Sequence, residues 1–238
     1  MQNKKWKKFG TLTGKCYLNM AGAEKDGSCW EQAFELLKEI IREERQKNPE
    51  FALTMEEIDD ATDYSYDIES WMEDCLDEID MRENYKLLLQ MCEDLLNLFD
   101  WPDYTGSDLK FRKSIALRQL GQNKESAKYC KEWIQNEPEN MVAATAGVYA
   151  YTEVGEFDAA EELIDRFIFD LSKCSEENDI MFTAAARFYE DTGNQKKQKQ
   201  ADQALEEYDE YLGKYFGMDE LDMDEWDMDL LDDELPFN

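Results

Sequence analysis

Apolar residues recur three and four positions apart through most of the chain, the period of helices that bury one face. The clearest pair of stripes flanks a glycine: Leu109, Phe111, Ile115, Ala116 and Leu120 lead to Gly121, then Ala127, Tyr129, Cys130, Trp133 and Ile134 follow, and Pro138 closes the unit. The next stretch repeats the plan. Ala143, Ala146, Tyr149, Ala150, Tyr151 and Val154 run to Gly155, followed by Phe157, Ala160, Leu163, Ile164, Phe167 and Ile168. The two glycines stand 34 residues apart. Each is expected to turn the chain between two helices, because glycine enters the left-handed backbone region without a Cβ clash and so ends a helix. A fixed period outranks local propensity in choosing a fold. The prediction is an all-α chain of stacked antiparallel helix hairpins.

Weaker copies flank this pair. Upstream, Trp30, Ala33, Leu36, Leu37, Ile40 and Ile41 follow Gly27, and Ala33 and Ala127 each lie six residues past their glycine, which gives Gly27 the place of Gly121. Ile68, Trp71, Met72, Cys75, Leu76 and Ile79 form one stripe, and Tyr85, Leu88, Leu89, Cys92, Leu95, Leu96 and Phe99 form its partner; the turn at Asp80 to Asn84 has no glycine. Downstream, Phe182, Ala185, Ala186, Phe188 and Tyr189 lead to Gly193, and Ala201, Ala204, Leu205, Tyr208, Tyr211 and Leu212 follow. Gly193 lies 38 residues past Gly155, an excess of about one helical turn placed near Ser172 to Asn178. Pro49 to Ser65 fits no repeat.

These residues resemble the tetratricopeptide-repeat family. GEFDAAEELIDRFI at 155–168 and NEPEN at 136–140 carry the likeness, and three or four hairpins would cover roughly residues 11–216. The family's usual Trp early in the first helix is replaced by Lys110 and Ala144. The resemblance implies a repeat domain over 1–216, a right-handed superhelix whose concave face, lined by the first helix of each pair, binds an extended or helical peptide. The inward positions it implies are Phe111, Ile115, Arg118, Gln119, Thr145, Tyr149, Thr152, Ile180, Thr183 and Arg187. Arg118 and Arg187 stand out because cations are scarce here and Arg pairs bidentately with carboxylates; Tyr149 would add a rigid amphipathic contact. The competing reading gives both arginines to ordinary surface salt bridges. The Lys and Asn set by which some family members hold the C-terminal carboxylate of chaperones is absent from the matching positions.

Charge adds the second signal. With 57 acidic and 26 basic residues among 238, the net charge is −31. Such a field repels nucleic acid and anionic membranes, so neither is an expected partner. Two basic patches stand against it: Lys4, Lys5, Lys7, Lys8 and Lys15, and Lys196, Lys197 and Lys199; the plainer account of each is a solvated helix face. Acid concentrates in two stretches free of Lys and Arg. One runs from Glu56 to Asp80 with twelve carboxylates, among which Asp59, Asp60, Asp63 and Asp67 are a metal candidate weaker than a solvated acidic face. The other is the tail, residues 217–238, with ten carboxylates between Leu221, Met223, Trp226, Met228, Leu230 and Leu231. That density of like charge favours a disordered, solubilising tail, and the alternative is a short linear ligand for a basic partner or for the protein's own groove. A calcium loop is disfavoured, since the tail lacks the glycine of its sharp turn and a suitably placed closing Glu.

Catalytic patterns are sparse. The chain has no histidine, which removes the commonest general base and transition-metal ligand. Gly10 to Cys16 resembles a phosphate loop superficially, one residue short and with Cys16 where a hydroxyl residue would hold magnesium. Six cysteines at long spacings, without a CxxC pair, read as small core residues of a cytoplasmic protein. The N-terminus lacks the apolar core of a secretory signal, and no stretch reaches membrane-helix length. No cofactor and no metal are expected. The sequence therefore points to a non-catalytic scaffold that binds another protein or peptide of basic character. Two alternatives stay open: a nucleic-acid mimic occupying the basic site of a nuclease, toxin or polymerase, and an enzyme working through carboxylates.

Overall fold

The computed structural model describes residues 4–215, and among them the regular structure is helical throughout. In chain order the helices are α1 (Lys4–Met20), α2 (Ser28–Lys47), α3 (Met55–Ala61), α4 (Ile68–Met81), α5 (Tyr85–Leu98), α6 (Ser107–Gln119), α7 (Asn123–Asn136), α8 (Met141–Val154), α9 (Phe157–Phe167), α10 (Asp179–Asp191) and α11 (Gln195–Tyr215). The chain divides into two compact units, residues 1–156 and 157–238, with the boundary just past Gly155. In the first unit α1 packs on α2, α3 on α4, α4 on α5 and α5 on α6, while α6, α7 and α8 pack on one another. In the second, α10 packs on both α9 and α11. The all-α class and the packing of consecutive helices agree with the periodicity.

Six helices end in one hydrogen-bond pattern. At Gly121 the glycine N–H donates to the Arg118 carbonyl at 2.8 Å, and the next N–H, of Gln122, reaches back to Leu117 at 2.9 Å. The same pair of bonds recurs at Gly22, Gly155 and Gly193, each glycine having φ between +74° and +79°. This ending satisfies carbonyls that a helix otherwise leaves open. Two cases have no glycine: Asp63, with φ +52°, donates to Asp60 at 3.0 Å while Tyr64 donates to Asp59 at 2.9 Å, and Glu83, with φ +56°, donates to Asp80 at 2.7 Å while Asn84 donates to Ile79 at 3.1 Å. Positions 83, 121, 155 and 193 thus form one series, spaced by 38, 34 and 38 residues. One expectation is corrected. Gly27 is not a left-handed turn: it has φ −77° and precedes the first residue of α2, while the turn after α1 is made at Gly22, five residues earlier.

The first unit has an aromatic centre. Trp30 of α2 and Trp71 of α4, both fully buried, stack at 6.4 Å, and Phe9 of α1 meets Trp71 edge-on at 5.1 Å. Spacing produces this: Cys29, Trp30, Ala33, Phe34, Leu37, Ile40 and Ile41 fall on one side of α2, and all are buried.

The segment at 49–65 is held by charge instead of repeat packing. Arg45 donates to the carbonyls of Phe51 at 3.1 Å, Ala52 at 2.5 Å and Leu98 at 2.5 Å, tying the end of α2 to this segment and to the end of α5. Hydrogen bonds to a charged group are worth about 1.5–3 kcal/mol each. Thr54 and Glu57 form a reciprocal cap on α3. Buried Asp59 accepts the N–H groups of Ile68 at 2.7 Å and Glu69 at 2.9 Å, so its carboxylate serves as the cap of α4.

The NEPEN stretch has a comparable role. Glu137 pairs with Lys110 of α6 and accepts from the Trp133 indole at 2.7 Å and the Asn140 amide at 2.7 Å. Asn140 in turn accepts from Val142 at 3.0 Å and Ala143 at 3.3 Å, which caps α8. Lys110 lies over the Trp133 ring at 5.6 Å.

The second unit joins an aromatic helix to one that buries only small residues. α10 buries Met181, Phe182, Ala184, Ala185, Phe188 and Tyr189, whereas only Ala201 and Ala204 of the 21-residue α11 are buried. Lys197 bridges to Glu161 at 2.7 Å and lies over the Tyr189 ring at 5.0 Å. The extra length between Gly155 and Gly193 falls in the irregular residues 168–178.

Candidate functional site

α6 and α8 of the first unit bring several groove candidates into one seam. Phe111, Ile115 and Arg118 lie at helical spacing on α6; Thr145, Tyr149 and Thr152 do so on α8. The Phe111 ring meets Tyr149 edge-on at 6.4 Å, and the Arg118 guanidinium lies over Tyr149 at 5.2 Å. Thr152 donates its hydroxyl to the Val148 carbonyl at 2.7 Å, and Gln119 is exposed. Thr145 is only 3 % exposed, and its Oγ1 has no hydrogen-bond partner among the described residues.

Arg118 is the unusual member. Burial pushes its pKa down from the ordinary arginine value, which the nearby Glu153 charge opposes. Its Nε is buried without an acceptor, and no carboxylate lies within 4 Å among the described residues. By contrast, Arg82 pairs with Glu78 at 2.5 Å, and Arg112 pairs with Asp77 and Asp108 at 2.7 Å each.

In the second unit, the remaining three candidates lie on α10. Ile180 is 40 % exposed, and Thr183 donates to the Asp179 carbonyl at 3.1 Å. Arg187 is exposed and pairs with Glu190 at 3.1 Å and Asp191 at 3.2 Å on its own helix, as the salt-bridge reading described. The tail residues Leu221, Met223, Trp226, Met228, Leu230 and Leu231 lie outside the described residues.

A second surface was not singled out in the sequence. Along α2, Glu31, Glu35, Glu39 and Glu43 repeat every four residues and border an open groove of about 640 Å³, with Leu36 in it and Lys8 and Arg42 beside them. Four-residue spacing puts them in one row, about 6 Å apart along the axis. Lys5 answers part of the row, pairing with Glu39 at 2.7 Å and Glu43 at 2.6 Å. Those bonds raise the Lys5 pKa and lower that of Glu39. Glu35 shares the buried Lys38 with Asp94, both at 2.6 Å. Glu31 has no ion-pair partner among the described residues. The signal was present as Glu31, Glu35, Glu39 and Glu43, but it was submerged in a chain rich in acid.

Other chemistry is accounted for structurally. Gly10 to Cys16 lies inside α1, so it forms helix where a phosphate loop would need an open turn. Asp59 is occupied by backbone N–H groups, and Asp60 accepts the Tyr64 hydroxyl at 2.5 Å. Cys16, Cys29, Cys75, Cys92 and Cys130 are buried, and burial pushes the thiols of Cys16 and Cys92 up to about 12 and that of Cys130 up to about 11. Thiols held protonated are poor nucleophiles. No helix among the described residues is long and apolar enough to cross a membrane.

No protein-family model, curated protein or solved structure matches this chain. The geometry of the two surfaces carries the functional argument.

Proposed function

We propose that this protein is a non-catalytic scaffold that docks another protein or peptide of basic character on its helix-hairpin surface, in the manner of a tetratricopeptide-like superhelix. The observation that carries the reading is the row of glutamates on α2, set one helical turn apart beside an open groove. A basic helix laid along that groove would present Lys or Arg at the same repeat. Encounter would be accelerated by the protein's negative field and would weaken as salt rises. The α6–α8 seam offers a second element, an aromatic pair with an arginine whose Nε–H lacks an acceptor. Helices held by packed neighbours lose little conformational freedom on binding, which favours affinity.

The test uses the full chain and a capped helical peptide with lysine at every fourth position and leucine between. Calorimetry should show saturable binding that weakens about tenfold between low and high salt. Binding indifferent to salt, or no binding, contradicts the reading. Competition by DNA for the binding of a natural partner would instead favour nucleic-acid mimicry.

A further inference from the structure

Where α3, α4, α5 and α6 meet in the first unit there is a slot of about 120 Å³. Its floor is apolar and buried: Met55, Met72, Leu76, Leu95 and Leu109. Its mouth carries exposed carboxylates, Glu69 and Glu73 from one face of α4 and Asp108 from α6. Trp101 forms a wall, fixed by its indole N–H donating to the Leu95 carbonyl at 3.1 Å. Gly106 permits that placement, since a Cβ there would meet the Trp101 ring system at 3.0 Å.

The carboxylates at the mouth differ in their neighbours. Asp108 is paired with Arg112 at 2.7 Å, while Glu69 and Glu73 have no cation within 4 Å among the described residues. The partial desolvation of its inner part and the charges of Glu73, Asp59, Glu56 and Asp67 raise the Glu69 pKa. A ligand suited to this slot has an apolar stem for the floor and a positive head for the mouth. Lysine has that form, since its methylene chain packs on apolar surface while the ammonium stays at the rim. A volume of about 120 Å³ accommodates about four water-sized groups at about 30 Å³ each, the scale of a four-carbon stem. Two methionines in the floor can adjust to an inserted chain.

We infer that this slot receives a lysine side chain of the docking partner, its stem on Met55, Met72 and Leu76 and its ammonium between Glu69 and Glu73. The assignment rests on the docking reading above and adds a specific anchor to it. Energetically dominant contacts at protein interfaces sit in well-packed pockets whose surrounding contacts exclude water.

The probe is n-butylammonium, which reproduces the lysine side chain, with n-butanol as its uncharged counterpart. In full-length protein carrying labelled methionine methyls, butylammonium up to about 100 mM should move the Met55 and Met72 signals saturably, a range suited to so small a ligand. In the variant Glu69→Gln/Glu73→Gln, whose changed side chains are exposed, the apparent affinity should fall at least about threefold, toward that of butanol. Equal responses to butanol and butylammonium in the unsubstituted chain, or fixed methyl signals, overturn the assignment. The lysine-repeat peptide separates the two claims. Peptide binding that leaves these methyls unmoved defeats the slot and spares the docking reading; methyl shifts with butylammonium but no peptide binding do the reverse.

Discussion

The two compact units solve helix packing differently. The first is built around Trp30, Trp71, Phe9 and Phe34, large rings that fill space between helices from distant parts of the chain. The second also buries the rings of Phe182, Phe188 and Tyr189 on α10, but its α11 buries only Ala201 and Ala204, small side chains that let helices approach closely. A centre of large rings contributes much buried area and leaves freedom in how elements connect, which suits a unit that also accommodates the non-repeating segment at 49–65. An alanine seam contributes less area and depends on a tight fit. The difference extends to charge: Arg118 in the first unit is half-buried and lacks a carboxylate partner, whereas Arg187 in the second is exposed and fully answered by its own helix.

That contrast can be broken most strongly at Trp71. Trp71→Ala should destabilise the first unit by about 3–5 kcal/mol through lost burial and the cavity left behind. Five of the chain's six tryptophans lie in that unit, so the transition followed by indole fluorescence should shift sharply. The second unit should instead be vulnerable to added bulk. Ala185→Leu is expected to cost about 1–3 kcal/mol by overpacking. Its effect should appear in helical circular dichroism more than in indole fluorescence.

Glu137 tests the polar junction of α6, α7 and α8. Burial opposes ionisation of its carboxyl, yet bonds from Lys110, Trp133 and Asn140 hold its pKa below the usual carboxylate value. A lowered folded-state value means that the stabilisation is present above the unfolded carboxylate pKa and is lost as pH falls through the folded one. Glu137→Gln should cost roughly 1–2 kcal/mol at neutral pH. The gap between variant and parent in thermal unfolding should narrow in acid.

The smallest expected effect tests the turn series. Glu83 is a non-glycine residue at φ +56°, in the place that Gly121, Gly155 and Gly193 occupy elsewhere. Glu83→Gly should stabilise by about 0.5–1 kcal/mol, because relief of left-handed strain exceeds the entropy that glycine adds to the unfolded chain. A loss of stability on thermal melting would show that the Glu83 side chain contributes more than its backbone costs.

Much of the fold was legible because helix period and turn glycine are local signals. The α4 stripe became a buried face, around Gly121 the residues Leu109, Ala116, Ala127, Cys130, Trp133 and Ile134 are buried while Phe111, Ile115, Leu120 and Tyr129 are half-buried, and Gly121, Gly155 and Gly193 took the expected conformation. Glu83 was hard to read since nothing in its side chain announces a left-handed backbone, and Gly27 misled because a glycine can equally precede a helix. The Arg45 clamp joins residues more than fifty positions apart and leaves no periodic trace. The seam was partly legible: Phe111, Arg118 and Tyr149 come together, while Thr145 is buried because α8 is apolar on most sides and offers no polar face to orient it. The α2 row and the slot at Met72 escaped notice for opposite reasons. The row was one acidic pattern among many, and the slot draws its floor from four helices that only folding assembles.

The central claim is that the first unit carries the docking surface, and equal neutralisation of the two units tests it most directly. Binding of the lysine-repeat peptide should be compared between Glu31→Gln/Glu35→Gln/Glu39→Gln, on α2, and Glu206→Gln/Glu207→Gln/Glu210→Gln, on α11, at the same salt. The account predicts that the α2 triple weakens binding about tenfold while the α11 triple changes it by less than about twofold. Equal losses in the two variants would mean that the peptide senses only net charge, and would contradict a built docking surface.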